Sequence, residues 1–283
     1  EVLEGENKGQ VVLCKKPPNL PALITGDHVI WCQGESDGVI VACETRRSLL
    51  QRPDMRGKMR PVAANIDQVF VVFCSSPPTP INLIDRYLVA AHCSDLLPIL
   101  ILNKSDLVEE GSEYDLIKKE YQDLGYQCLS YSCEDQLGID ALNEKLKDNK
   151  SIFVGQSGVG KSSILQTLLP DLDIRIGAIS DATGKGKHTT TNANLFHLDN
   201  GGDLIDSPGI REFGLWHVDK GEIIHYFPEF SELARSCKFR DCKHKTEPGC
   251  AIQSALENDS TLYRRFDSMK GIEDSVEEVN VRQ

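Results

Sequence analysis

Four short clusters in this chain have the residue types and spacing to do chemistry. The first is Gly155-Gln156-Ser157-Gly158-Val159-Gly160-Lys161-Ser162-Ser163, which contains G-x-x-x-x-G-K-S. Its glycines let the backbone wrap around an anion with several N–H groups pointing inward. Lys161 at this spacing reaches the β/γ-phosphates of a nucleoside triphosphate, and the Ser162 hydroxyl holds Mg²⁺. The second cluster, Asn103-Lys104-Ser105-Asp106, reads N-K-x-D. The Asp106 carboxylate can accept hydrogen bonds from the N1–H and N2 amine of guanine. Adenine offers neither donor, so such a site prefers GTP to ATP. Ser132 and Cys133 follow another apolar run and can support the base from its other side. The third cluster is Asp206-Ser207-Pro208-Gly209. Its Asp can hold Mg²⁺ through water, and the Gly209 N–H can meet the γ-phosphate. The fourth is Cys237-x4-Cys242-x-His244-x5-Cys250. Three thiolates and one imidazole make a closed tetrahedral set, the pattern of one structural Zn²⁺ with no position left for catalysis.

Hydrolysis of a bound triphosphate also needs an oriented water. Ile210 stands directly after Gly209, where many GTPases carry Gln, and an apolar side chain cannot orient water. His188, in Lys187-His188-Thr189-Thr190-Thr191, is the candidate substitute; a simple loop histidine is the alternative. Thr190 is the threonine assigned to Mg²⁺ and the γ-phosphate. The catalytic set is therefore His188, Lys161 and Thr190, with Ser162, Thr190 and Asp206 around Mg²⁺. Slow intrinsic turnover, accelerated by a partner, follows from that arrangement.

These clusters sit where a folded scaffold would present them. Residues 151–154 are a short apolar run before the phosphate loop, and residues 163–169 read as a helix after it. Strand, loop and helix in that order aim a helix N-terminus at the phosphates. Residues 68–74 and 97–102 are continuous apolar runs, as strands buried on both faces are. Helical spacing covers residues 81–94, 112–124 and 138–147, and a further strand covers 127–130. Alternation of this kind predicts a doubly wound, mainly parallel sheet whose ligands bind at the strand C-termini. Asn200-Gly201 predicts a hairpin between residues 194–198 and 202–206. N-K-x-D precedes the phosphate loop here, whereas an ordinary small GTPase has it last. The chain order is that of a circular permutation, in which the segment after Gly209 leads straight into the C-terminal module. That wiring would let the nucleotide state move the module.

Before the sheet, residues 10–14, 28–32 and 38–43 read as short strands separated by turns. An OB-fold barrel fits, as does an SH3-like barrel or a meander. Arg46, Arg47, Arg52, Arg56, Lys58 and Arg60 follow, either a solvated loop or a surface for RNA phosphates. Residues 177–191 read as a mobile loop, the stretch from Glu222 as polar and helical with the cysteines inside it, and residues 275–283 as a frayed acidic tail. Arg235, Lys238, Arg240, Lys243 and Lys245 surround the cysteines and form a second possible RNA contact.

The 283 residues predict two or three domains. A net charge of -12 excludes a uniformly basic nucleic-acid binder, so RNA must meet local basic patches. Most of the ten cysteines lie singly in apolar runs, as buried free thiols do in a reducing compartment. No run reaches the length of a membrane span, and the polar, acidic first residues lead us to expect no secretory signal. The first residue is Glu, which fits a processed form or a fragment.

Taken together, the chain resembles the circularly permuted GTPases of small-ribosomal-subunit maturation, the RsgA/YjeQ type. The resemblance covers about residues 9–269. It rests on Ala64-Asn65-Ile66-Asp67-Gln68, the N-K-S-D and phosphate-loop motifs, residues 187–191, Asp206-Ser207-Pro208-Gly209 and the Cys-Cys-His-Cys pattern. It implies an N-terminal OB-fold over residues 1–62, a permuted α/β P-loop GTPase domain over 63–217 and a helical zinc-binding domain over 218–283. It also implies GTP hydrolysis stimulated by the small subunit, binding to that subunit's rRNA and a role late in its assembly. We expect a cytoplasmic monomer, or one in an organellar stroma or matrix if the start is a processed form. The alternative is an rRNA-binding module that uses GTP and GDP as a conformational timer on mature ribosomes. Lys187 replaces the more frequent Arg of the family, and the proline-containing stretch 15–23 makes the first barrel strands irregular.

Overall fold

The computed structural model describes residues 2–4, 8–53, 58–170, 193–206, 215 and 218–281. The loop expected at 177–191, with Lys187, His188 and Thr190, lies outside the described residues, as do Gly209 and Ile210.

Five strands precede Asn65: β1 (Cys14–Lys15), β2 (Val29–Gln33), β3 (Gly38–Cys43), β4 (Leu49–Pro53) and β5 (Met59–Ala64). They form a three-stranded sheet, β1-β3-β2, and a separate β4-β5 ladder, joined by a Thr25–Ala63 bridge. Among the described residues no further ladder closes them into a barrel. The basic stretch is partly this β4-β5 hairpin rather than an irregular loop. Two of its cations also serve the structure. Arg46 donates to both carboxylate oxygens of Asp27 at 2.7 and 2.9 Å, and Arg47 donates to Asp67 at 2.9 Å.

The chain then enters a six-stranded sheet. Its elements are β6 (Gln68–Phe73), α1 (Ile81–Cys93), β7 (Leu97–Asn103), α2 (Glu113–Asp123), β8 (Gln127–Tyr131), α3 (Ile139–Leu146), β9 (Lys150–Val154), α4 (Lys161–Leu168), β10 (Asn194–His197) and β11 (Asp203–Asp206). The spatial order is β10-β11-β9-β6-β7-β8, all parallel except the β10-β11 hairpin. Every residue of β6 is buried, because both faces of the sheet are covered. Val69, Val71 and Phe73 enter one core layer with Ile84 and Leu88 of α1. Phe70 and Val72 enter the other with Leu142, Leu146 and Ile164 of α3 and α4. Among other contacts, the N-terminal segment is tied to the sheet by Thr25, which donates to the Ala193 carbonyl at 2.7 Å, and by Lys150 Nζ, which donates to the Gly26 carbonyl at 3.2 Å.

A short 3₁₀ helix, Lys220–Tyr226, leads into α5 (Pro228–Ala234), α6 (Ala251–Leu256) and α7 (Ser260–Val281). These pack on the α1 face, where Phe227, Phe230, Met269, Ile272 and Val276 join the same core layer as β6. The acidic end is therefore helical to Val281 rather than frayed from Ser275. Burial of Ile272 and Val276, and a 2.8 Å hydrogen bond from Arg86 to Ser275, hold it down. The contact is reinforced by buried ions. Arg265 and Asp85 are 1% and 0% exposed and form an ion pair, and Arg265 also donates to Glu229 at 2.7 Å. Burial alone would lower the guanidinium pKa; Asp85 and Glu229 outweigh it and raise it.

Candidate functional site

The parallel strands β9, β6, β7 and β11 end at one edge of the sheet, and that edge carries the predicted clusters. Strand order reverses between β6 and β9, where doubly wound sheets open a crevice. The phosphate loop leaves β9 there. Gly155, Gly158 and Gly160 have φ of 145°, 84° and 96°, a region L side chains rarely enter. A Cβ on Gly155 would also sit 2.3 Å from the Val72 carbonyl oxygen, and one on Gly160 would sit 2.2 Å from Asn103 Nδ2. Glycine is required at both by shape as well as by φ. Lys161 Nζ donates to the carbonyls of Gly155 and Gln156 at 2.7 and 2.8 Å, folded back over the loop it would share with phosphate.

The N-K-S-D segment is tied to this loop. Asn103 is buried at the end of β7, and its Nδ2 donates to the Val159 carbonyl at 2.7 Å. Lys104, at φ 56°, sends its ammonium to the carbonyls of Ser76 and Gly158 at 2.7 and 3.2 Å. Ser105 and Asp106 lie in a 3₁₀ turn after β7, with Asp106 exposed. Ser132 is buried after β8, its Oγ accepting from the Glu134 N–H at 3.2 Å, and Thr167 of α4 reaches Cys133 Sγ at 3.9 Å.

A cavity of about 680 Å³ opens over the loop. Of the predicted residues, it brings together Lys104, Gly155–Gly158, Gly160, Lys161, Ser162, Ser163 and Asp206. Asn103, Ser105, Asp106, Ser132, Cys133 and Val159 do not line it. Val159 is fully buried in the core, and the base-side residues stand beyond Lys104 at the ends of β7 and β8. Ser162 at the start of α4 and Asp206 at the end of β11 face the same cavity; hydroxyl and carboxylate oxygens are the ligands Mg²⁺ takes. Sequence reading missed Leu83 and Tyr87 of α1 and the Ser76 carbonyl. The first two carry a signal, an i, i+4 apolar pair just after the loop that ends β6, but helical periodicity assigns them to core. Nearby, burial raises the Cys74 thiol pKa against the pull of Lys104, so it stays neutral.

The cysteine cluster does not lie within a helix. It occupies the loop between α5 and α6, with Cys250 as the N-cap of α6. The four ligand atoms lie within 4.8 Å of one another. Cys237 and Cys250 Sγ are 3.9 Å apart, and His244 Nδ1 is 3.6 and 3.5 Å from them. A tetrahedral Zn²⁺ with ordinary bond lengths has S···S edges of about 3.8 Å and S···N edges of about 3.6 Å, so the residues fit that ion. Gln253 fixes His244 by donating to its carbonyl at 2.7 Å. Burial pushes the Cys237 thiol up, but N–H groups of Ala251 and Ile252 and the neighbouring thiols pull it below its usual value, toward thiolate.

Fold and site define a P-loop nucleotide-binding domain of permuted strand order, fused to a Cys₃His module. The profile of the family described as RsgA GTPase matches residues 43–216. The chain is 52% identical over 275 residues to the small ribosomal subunit biogenesis GTPase RsgA of Ectopseudomonas mendocina, covering 96% of this chain and 80% of that protein. It is 47% identical over 286 residues to the protein of the same name in Hahella chejuensis, covering 100% and 82%. The crystal structure of YjeQ from Thermotoga maritima matches with a TM-score of 0.76 at 32% identity, over 95% of this chain and 91% of that one. YloQ, described as a circularly permuted GTPase, matches with a TM-score of 0.76 at 28% identity, over 97% and 89%. The chain belongs to the RsgA GTPase family.

Proposed function

We propose that this protein binds and hydrolyses GTP and acts in maturation of the small ribosomal subunit. The observation that carries the reading is the 2.7 Å bond from Asn103 Nδ2 to the Val159 carbonyl. It locks the guanine-type segment to the phosphate loop, so one nucleotide can span both. The names of the relatives support the ribosomal role.

In this reading, Asp106 accepts from the guanine N1–H and N2 amine, with Ser132 and Cys133 on the other side of the base. The N–H groups of the loop surround the phosphates. Lys161 leaves its two carbonyls for the β/γ-phosphates, a short swing, because those carbonyls belong to the same loop. Ser162, Thr190 and Asp206 would hold Mg²⁺, which supplies positive charge to the phosphate oxygens. His188 orients the attacking water, and the Gly209 N–H meets the γ-phosphate. Cys237, Cys242, His244 and Cys250 would hold one structural Zn²⁺ that stiffens the loop between α5 and α6.

We also read residues 1–62 as an OB-type RNA-binding unit, 63–217 as the GTPase domain and 218–283 as the zinc domain of a cytoplasmic monomer. The rRNA meets β4-β5 and the basic loop around the zinc site. No helix among the described residues is long and apolar enough to cross a membrane. The test is GTP turnover with and without purified small subunits. Stimulation is expected, and it should disappear in His188→Ala while GTP binding persists. Unstimulated turnover, or ATP held as tightly as GTP in calorimetry, would refute the proposal.

A further inference from the structure

A second cavity, of about 810 Å³, lies away from the nucleotide crevice. Its walls are the 3₁₀ helix at Lys220–Tyr226, the metal loop from Cys242 to Lys245, and α7. Lys220, Lys243, Lys245 and Lys270 line it, with Ile224 and Phe266 as an apolar wall. Two carboxylates share the lining, and both are paired: Glu273 with Lys270 at 2.9 Å, and Asp274 with Lys220 at 3.4 Å. Among the described residues no carboxylate pairs with the ammonium groups of Lys243 and Lys245. The carboxylate nearest in sequence, Glu247, accepts instead from the backbone N–H groups of Lys243, Lys245 and Thr246 at 3.1, 2.8 and 3.1 Å.

An excess of cations at this place is not a by-product of composition, since the chain carries a net charge of -12. The two lysines flank His244, which the metal cluster and Gln253 hold in place. Their backbone is therefore positioned before any ligand arrives, which lowers the ordering cost of binding an anion. The volume is that of a small-molecule site, and the cationic end beside an apolar wall calls for an anion that carries a ring.

We propose that this cavity binds a phosphorylated nucleoside, with its phosphate at Lys243 and Lys245 and its ring against Phe266 and Ile224. The ligand is either a free nucleotide or one nucleotide of an RNA strand; the second source rests on the rRNA reading above. The 3₁₀ helix that forms one wall of the cavity also follows the Asp206 motif in the chain.

The test uses the full zinc-loaded chain with its phosphate loop saturated by GDP and Mg²⁺. A fluorescein-labelled single-stranded RNA octamer of mixed sequence is titrated, and AMP, which a guanine site rejects, is the competitor. The double variant Lys243→Gln/Lys245→Gln is expected to bind the octamer about 10-fold more weakly and to lose about 0.7 from its log–log salt slope, for the one phosphate that the two lysines hold. Its zinc content and unfolding midpoint should not change. Lys238→Gln/Arg240→Gln, on the same loop but outside the cavity lining, should lose less. Competition by AMP assigns a free nucleotide as the source; cavity-dependent octamer binding without competition assigns an RNA nucleotide. If the octamer binds but the Lys243/Lys245 variant stays within about 2-fold of the unaltered chain, or both double variants lose equally, the cavity proposal falls and the RNA reading stands. If AMP binds through the two lysines and the octamer does not bind, the RNA reading falls and the cavity proposal stands. If neither probe binds, both fall.

Discussion

Replacing Asp85 by Ala tests the buried ionic contact between α1 and α7. The Asp85 carboxylate receives Tyr121 Oη and both Arg265 and Arg264, the last at 3.2 Å. Asp85 and Arg265 are 0% and 1% exposed, so solvent does not screen the pair. With the carboxylate gone, Arg265 keeps Glu229 alone as a charge partner among the described residues, and the buried Tyr121 hydroxyl loses its acceptor. Breaking a buried pair from one side costs about 3–5 kcal/mol. That is a large part of the roughly 5–15 kcal/mol by which a native chain is stable. Urea unfolding followed by far-UV circular dichroism would measure the loss. Glu120→Ala, which removes one of the two carboxylate partners of the more exposed Arg264 and leaves it Asp85, should cost only about 1 kcal/mol or less. The triple variant Asp85→Leu/Arg265→Met/Glu229→Gln should recover most of the stability lost in Asp85→Ala, because it removes the charges together. A loss below about 1 kcal/mol in Asp85→Ala, or no recovery in the triple variant, would refute the claim that these ions clamp α7 to the sheet.

Three other outcomes follow from the same structure. Asp106→Asn should weaken GTP binding by about 100-fold and improve binding of xanthosine triphosphate, whose C2 carbonyl can accept from the new amide; calorimetry with both nucleotides reads it. Cys250→Ser, or treatment with a strong chelator, should release the zinc and destabilise α6, whose N-cap is Cys250, measured by zinc release and by protease cleavage between residues 235 and 256. His92 titrates below its usual value because burial, and then the Arg265 charge, disfavour its protonation. The unfolded chain therefore binds a proton first, so stability should fall as pH drops below about 6.5 and on toward the lowered folded value. His92→Gln should flatten that part of the pH–stability curve.

The phosphate loop, N-K-S-D and the metal spacing were legible because each is a local arrangement, with partners inside one short stretch. The strand–helix alternation was legible for the same reason, and β3, β6 and β7 fall within a residue or two of the apolar runs that predict them. What stayed hidden depends on residues far apart. Asp85 and Arg265 are 180 positions apart, and neither has a neighbour in sequence that hints at the other. Charge and proline hid β4 and β5, since each carries one arginine directly before a proline, Arg52-Pro53 and Arg60-Pro61, and so reads as loop. The cysteine loop lies among polar, lysine-rich residues that resemble a helix surface; the turns at His244 (φ 56°) and Gly249 (φ 79°) break that helix.

The order of the strands has a consequence for how the molecule is made. From its middle outward, the sheet runs β6, β7, β8 in one direction and β9, β11, β10 in the other. Each half comes from one stretch of chain, so its internal strand pairings close without residues of the other half. On a growing chain, the half with Asn103 and Asp106 can be complete before the half with Lys161 exists. The nucleotide crevice is then the seam where a finished half-sheet meets its later neighbour, and GTP would be the first molecule to bind across both.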